Sequence, residues 1–335
     1  MINIAINGFG RIGRNFLRSI FYDPDAKKKL SVVAINVGPT SQELAAYLFT
    51  YDSIMGRYSG NVQLKNGKLI VDGHEIALIS ELDPARANWK QFNVDWVVES
   101  SGKFTNREGA EKHLEAGAGA VLISAPAKNE DVTIIPGVNS EAFDKANHKI
   151  VSLGSCTTNA VVPMLNVLHN AFVVEQGFMT TIHAYTNTQV LLDTEAGDER
   201  RSRAAALNII PTTTGATKVV GKVLPELDGK IGGMAVRVPV ADVSLIDLSF
   251  AAKKELSVQK IIEVFQAAAN EKLKHIIAMT NIPLVSSDFI GDPHSVVIDV
   301  SLIDVRNNIG KLFGWYDNEW GYSQRMKDFL MDHSG

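Results

Sequence analysis

The chain predicts an α/β fold in two parts: a doubly wound, largely parallel sheet, then an α+β domain with a mostly antiparallel sheet. Three observations carry this. The first half alternates short β-branched runs with helical patterns, as βαβ units do. The second half carries longer runs in which apolar and polar residues alternate, the pattern of strands with one solvated face. The length, 335 residues, is enough for about two domains.

The elements follow in order. Ile2–Asn7 reads as a buried strand, followed by a glycine turn and a helical stretch through about Phe21. Leu30–Asn36 is a second buried strand. Residues 95–100, 120–124 and 150–153 continue the series, with a helix near 107–116. Beyond them, residues 179–183, 235–238, 243–251, 295–303 and Ile309–Tyr316 read as strands. Ser257 caps a helix whose Ile261, Val264, Phe265 and Ala268 share one face. The boundary falls near Ser155, giving domains 1–155 and 156–320. A last helix, 321–335, carries Met326, Phe329 and Leu330 on one face and is expected to pack back on the first domain.

Composition narrows the function classes. The formal net charge is −4 with 45% hydrophobic residues, unlike a dedicated nucleic-acid binder. One cysteine fits a reducing compartment and offers no disulfide scaffold. No apolar run nears the roughly 18 residues of a membrane span, and the N-terminus enters its first strand without a leader pattern. The expectation is a cytoplasmic protein with no metal site.

Gly8-Phe9-Gly10-Arg11-Ile12-Gly13 directly follows the first strand and opens a helix, the context that gives G-x-G-x-x-G its meaning. Gly8 allows the tight turn, Gly10 lets a pyrophosphate approach the backbone, and Gly13 permits close helix–strand packing. A Rossmann-type dinucleotide site is therefore expected. Its usual acidic partner, at the end of the second strand, is missing: Val37 follows Asn36. Without that carboxylate a 2′-phosphate is not repelled, and Thr40 or Ser41 could donate to it, though no Arg or Lys follows in the next residues. The alternative is that Asn36 alone holds the ribose of NAD.

Cys156 sits in Gly154-Ser155-Cys156-Thr157-Thr158-Asn159. A lone thiol is most often a small buried hydrophobe. Here it lies where a strand turns into a helix marked by Ala160, Val161, Met164, Leu165 and Leu168. The orphan N–H groups and the positive end of the helix dipole favour a thiolate at that point. His183 ends an apolar strand and is the candidate base.

Five segments carry a family resemblance: the glycine loop through Arg14, the Ser155–Cys156 run, His183-Ala184-Tyr185-Thr186-Asn187, Pro211 to Ala216 with Arg237-Val238-Pro239, and Asp317 to Tyr322. Their order and spacing resemble phosphorylating glyceraldehyde-3-phosphate dehydrogenase across nearly the whole chain. The resemblance implies a cytosolic homotetramer of the glycolytic or gluconeogenic route, with a catalytic second domain. It implies that Cys156 attacks D-glyceraldehyde 3-phosphate, that His183 acts as base, and that phosphorolysis of a thioester yields 1,3-bisphosphoglycerate. Thr186 and Arg237 would bind the substrate phosphate. Ser155, Thr157, Arg201, Thr214 and Gly215 would bind inorganic phosphate. Gly8, Gly10, Arg11, Ile12, Gly13, Asn36, Val37, Ser101, Gly102, Ser124, Asn318 and Tyr322 would contact NAD.

The chain departs from that family pattern at Val37 (usually Asp), Leu82 (usually Arg) and Thr194-Glu195 (usually Leu-Pro). These changes make NADP a plausible second cofactor. Glu195 works the other way, since a carboxylate repels a 2′-phosphate. Erythrose-4-phosphate dehydrogenase, which lacks the Thr212–Gly215 run, is the nearest alternative. A surface or partner-binding protein on the same scaffold is the alternative of another class.

Overall fold

The computed structural model describes residues 1–334, grouped in two compact units, 1–154 with the chain from Ser323 onward, and Ser155–Tyr322. The first unit begins with β1 (Ile2–Asn7), α1 (Arg11–Phe21), α2 (Pro24–Lys29), β2 (Leu30–Asn36) and α3 (Gln42–Thr50). It continues with β3 (Val62–Lys65), β4 (Lys68–Val71), β5 (His74–Ile79), β6 (Trp96–Glu99), α4 (Arg107–Glu115), β7 (Ala120–Ile123), β8 (Val132–Thr133) and β9 (Ile150–Ser152).

Its sheet runs β3-β4-β5-β2-β1-β6-β7-β9-β8. Strands β5 to β8 in that order are parallel, and β3-β4-β5 form an antiparallel edge. Chain order reverses at β1, between β2 and β6, which opens a crevice at the carboxyl ends of the strands, where α/β sheets bind ligands. Strands β1, β6 and β7 are almost wholly buried, which explains their unbroken apolar runs. The two edge hairpins carry little sequence signal, because β3 and β4 are four residues each with lysines at exposed positions, a common way of blunting a sheet edge.

The second unit contains α5 (Cys156–Phe172), β10 (Val174–Ala184), β11 (Ile210–Thr212), α6 (Ala216–Val223), β12 (Ile231–Val238), β13 (Ser244–Ala252), α7 (Val258–Asn270), β14 (Ile277–Thr280), β15 (Val296–Arg306) and β16 (Ile309–Tyr316). Its sheet, β11-β12-β10-β13-β16-β15-β14, is antiparallel except for the parallel pairs β10–β12 and β14–β15. The α+β prediction is met. Ser257 caps α7 by accepting from the Lys260 N–H at 3.1 Å, with Ile261 and Phe265 buried.

The last helix, α8, spans Trp320–Asp332, one residue earlier at its start than the sequence suggests; Gly335 lies outside the described residues. From Ser323 on, α8 belongs with the first unit. Phe329 meets Trp96 edge-on at 5.7 Å and Phe143 at 5.2 Å. Lys327 donates to Asp23 at 2.6 Å. Among the described residues no helix is long and apolar enough to cross a membrane.

Candidate active site

In the second unit the catalytic candidates come together. Ser155 is the N-cap of α5: its hydroxyl accepts from the Thr158 N–H at 3.1 Å, and Thr158 Oγ1 accepts in return from the Ser155 N–H. This capping box fixes Cys156 as the first helical residue, with Ala160, Val161, Met164, Leu165 and Leu168 fully buried behind it. His183 comes from the end of β10, where it registers beside Arg237 of the parallel strand β12. Cys156 Sγ lies 3.5 Å from His183 Nε2.

The electrostatics correct one expectation. Burial pushes the Cys156 thiol up, and it outweighs the Arg237 charge and the Thr157 N–H, which pull it down. The helix start alone therefore does not make a resting thiolate; desolvation of the charged form wins. Burial and then Arg237 hold His183 down to about 3, so the ring is a neutral imidazole. Arg237 is itself lowered, by burial first and also by the Arg201 charge, while the thiol pulls it the other way.

The expected anion groups are placed as follows. Arg201 Nε and Nη2 reach Thr212 Oγ1 at 3.1 and 3.0 Å, and its guanidinium pairs with Asp198 at 3.3 Å. Thr214 Oγ1 accepts from the Ala216 N–H, and Gly215 is the N-cap of α6 without a side-chain cap. Thr186 Oγ1 bonds Thr188 Oγ1 at 2.9 Å. The Thr157 hydroxyl is not available in the way expected: it is buried and bonded to the Tyr316 hydroxyl at 2.9 Å.

Tyr316 is a site residue that sequence reasoning missed. Its hydroxyl also bonds Thr181 Oγ1 at 2.7 Å, tying the start of α5 to β10, and its ring stands edge-on to His183 at 6.0 Å. Its only signal was a tyrosine at a buried register of alternating β16. Ser244 was missed too: it accepts from the Ala184 N–H at 3.1 Å and donates to Asn318 Oδ1 at 2.7 Å. That leaves the Asn318 amide nitrogen as its donor end. Tyr322 is buried nearby in sequence.

In the first unit a cavity of about 250 Å³ is lined by Asn7, Gly8, Gly10, Asn36, Val37 and Ser101 together with Glu81, Leu82 and Lys103. Arg11, Ile12, Gly13, Gly102 and Ser124 stand outside this lining. Gly8 has φ +93°, and a Cβ there would lie 2.5 Å from the Ser101 backbone; at Gly13 it would lie 2.3 Å from the Gly8 carbonyl oxygen. At Gly10 a Cβ would meet nothing within 4 Å. The loop is thus closed against the protein at Gly8 and Gly13 and open at Gly10, which fits a dinucleotide pyrophosphate at the uncapped start of α1. Arg11 turns its guanidinium onto Asp52. Burial works against that carboxylate, but Arg11 and the N–H groups of Met55 and Ile54 outweigh it and hold it at about 2.

The ribose expectation needs revision. The Asn36 amide donates to Asn7 Oδ1 and the Glu81 carbonyl, and accepts from the Gly38 and Glu81 N–H groups. All four of its positions are filled, so it shapes the cavity rather than offering a side-chain bond. Ser41, the N-cap of α3, accepts from the Leu44 N–H at 3.2 Å, a bond that leaves its O–H as a donor. Lys103 is the cation that the sequence reading overlooked; it follows β6 and lines the same cavity as Val37, which follows β2, though the two are over sixty residues apart in sequence. Beneath the cavity, buried Glu99 accepts from Asn7 at 2.6 Å and from the Ser101 N–H at 2.7 Å, and pairs with His113 at 3.0 Å. Among the described residues no cluster of His, Cys, Asp and Glu suits a metal ion.

A doubly wound unit with a glycine-loop cavity and an α+β unit with a thiol beside a histidine define a two-domain, dinucleotide-binding oxidoreductase. Residues 2–107 match the family model described as the glyceraldehyde 3-phosphate dehydrogenase NAD binding domain, and 155–318 that of its C-terminal domain. The chain is 48% identical over 328 residues to glyceraldehyde-3-phosphate dehydrogenase of Geobacillus stearothermophilus, covering 98% of this chain and 96% of the relative. It is 47% identical over 333 residues to that of Streptomyces coelicolor, covering 98% of each. The chain belongs to the glyceraldehyde-3-phosphate dehydrogenase family.

Proposed function

We propose that this protein catalyses the phosphorylating oxidation of D-glyceraldehyde 3-phosphate to 1,3-bisphosphoglycerate in the cytoplasm. The observation that carries the reading is the Cys156 Sγ to His183 Nε2 approach of 3.5 Å at the start of α5. Residues 1–155 with the last helix, 321–335, would serve as dinucleotide domain and 156–320 as catalytic domain.

His183 takes the Cys156 proton as the sulfur attacks the aldehyde carbon and passes it to the former carbonyl oxygen, which gives the thiohemiacetal and returns the ring to its neutral form. The Cys156 N–H and His183 steady the developing oxyanion. His183 then removes the hemiacetal hydroxyl proton, help worth about 10²–10⁴-fold in rate. A bound nicotinamide dinucleotide supplies the hydride acceptor. Asn318 would offer its amide nitrogen to the carboxamide, and Tyr322 would pack near the ring. Inorganic phosphate, held by Arg201, Thr214, Gly215 and the capped Ser155 turn, attacks the thioester and releases the acyl phosphate and the thiol. Arg237 and Thr186 hold the substrate phosphate; a guanidinium fork suits it.

The cofactor is NAD, with NADP also accepted, because Val37 leaves the cavity wall apolar where a carboxylate would repel a 2′-phosphate. Lys103 adds a cation to that wall, and Glu81 opposes it. Initial rates with D-glyceraldehyde 3-phosphate and each cofactor, with and without inorganic phosphate, test both statements. Turnover to the acyl phosphate should require phosphate and vanish in Cys156→Ser. A kcat/KM preference for NAD above about 10³-fold, roughly 4 kcal/mol, would rule out relaxed cofactor use.

A further inference from the structure

The His183 ring sits in a donor–acceptor conflict. Nδ1 lies 2.7 Å from the Ala184 carbonyl oxygen and 2.6 Å from Arg237 Nη1, and Nη1 also donates to that oxygen at 2.9 Å. A neutral imidazole has one N–H. With the proton on Nδ1, the ring donates to Ala184 and its N–H confronts a guanidinium N–H. With the proton on Nε2, Nδ1 accepts from Arg237 and its lone pair confronts the carbonyl oxygen. Neither tautomer satisfies all three contacts. Only the Nδ1–H form leaves Nε2 able to take the thiol proton.

We propose that Arg237 is a positioning residue that sets the tautomer of His183. Paired with Nδ1, the guanidinium holds the ring as the Nε2–H form, which donates toward the thiol and cannot deprotonate it. The substrate phosphate draws the guanidinium away, and the ring relaxes to the Nδ1–H form bonded to Ala184, the form that acts as base. The interchange gives one proton from Nε2 to water and takes one from water onto Nδ1, with no net charge. The inference rests on the proposed role of Arg237 as a phosphate ligand.

The physical basis is competition for one guanidinium. A phosphate dianion meets the guanidinium with opposite charge and can accept two parallel N–H bonds, neither of which a neutral ring nitrogen offers. The other groups facing the ring do not compete for it. Cys156 approaches Nε2 from α5, and Tyr316 from β16 is edge-on, its hydroxyl engaged by Thr157 and Thr181 and its ionisation pushed up by burial. Arg201 acts on Arg237 through charge. The device would make the base competent only when a phosphate-bearing aldehyde is aboard.

The test uses the full chain labelled with nitrogen-15 histidine, the His183 signals being assigned by comparison with His183→Asn. Long-range proton–nitrogen spectra distinguish a protonated from an unprotonated ring nitrogen. Without ligand, Nε2 should carry the proton. Saturation with sn-glycerol 3-phosphate, which has the phosphate but no aldehyde, should move it to Nδ1. Arg237→Leu should show the Nδ1–H form without ligand. A second readout is alkylation of Cys156 by iodoacetamide at neutral pH. Loss of the Arg237 charge alone would slow it, since that charge favours the thiolate; release of the base should instead speed it about tenfold.

An unchanged tautomer in the wild type while sn-glycerol 3-phosphate competes with glyceraldehyde 3-phosphate would overturn the gating and leave the phosphate role standing. Slower alkylation in Arg237→Leu would also overturn it. If sn-glycerol 3-phosphate does not compete, the phosphate role falls instead, and the spectrum and alkylation rate of Arg237→Leu still decide whether Arg237 controls the ring.

Discussion

His183 makes a prediction about acid stability whose sign follows from its surroundings. Burial and Arg237 lower its pKa from 6.5 to about 3. Between those values the unfolded chain binds a proton that the folded chain does not. This group therefore removes stability as pH falls below about 6.5, approaching about 1.4 kcal/mol per pH unit until about pH 3. Replacing it by a residue that does not titrate removes that slope. Urea unfolding of the wild type and His183→Asn from pH 4 to 8 should show the variant gaining relative stability toward acid; parallel curves would contradict the burial argument. Val37 carries the second prediction at this scale. Val37→Asp restores a carboxylate to the cavity wall, and repulsion of a 2′-phosphate should raise the NAD over NADP ratio of kcat/KM by about tenfold or more, roughly 1.4 kcal/mol. An unchanged ratio would detach Val37 from cofactor choice.

The glycine loop separates packing from binding at the scale of an element. A Cβ at Gly13 would lie 2.3 Å from a backbone oxygen, so Gly13→Ala must push α1 off β1 and should lower both the melting temperature and dinucleotide affinity. Gly10 has φ −75° and open space around its Cβ position. Gly10→Ala should keep or slightly raise stability, by about 0.4–1 kcal/mol, while weakening the dinucleotide. Thermal melts and fluorescence titration check both; equal loss of stability in the two variants would show that the open space is not reserved for a ligand. The loop shows how much the sequence discloses. Where local pattern and burial agree, as in β1, β2, α4, α7 and β16, the elements were legible nearly to their ends. The apolar signal of β10 starts only at Phe178, because Glu175, Gln176 and Gly177 break it, although the strand begins at Val174. Cys156 and His183 were legible because their chemistry is local. The saturation of Asn36, the Thr157–Tyr316 bond and the shared cavity of Lys103 and Val37 were not, since each joins residues far apart in sequence.

The loop from Thr186 to Ile209 presents Leu191 at 83%, Leu192 at 76% and Leu207 at 77% exposure, with Ile209 close behind at 70%. Single exposed apolar side chains are ordinary, but three leucines and an isoleucine so exposed within 24 residues are a concentration that a neighbouring chain would cover. Burying one such side chain contributes about 1.5–3 kcal/mol, so covering all four would contribute on the order of 6–12 kcal/mol, on the scale of a whole domain's stability. The family resemblance implies a homotetramer, and this loop, which also carries Thr194 and Glu195, is the part a neighbouring chain would bring toward the cofactor. The expected species in light scattering is four times the 36.5 kDa chain. Leu191→Glu with Leu192→Glu places two charges in the covered surface and should dissociate it. Because those positions lie outside the Cys156–His183 pair, the dissociated form should keep thiol alkylation yet lose cofactor affinity. A double variant that remains tetrameric with full cofactor affinity would remove this loop from the interface, and a wild type that scatters as one chain would remove the interface altogether.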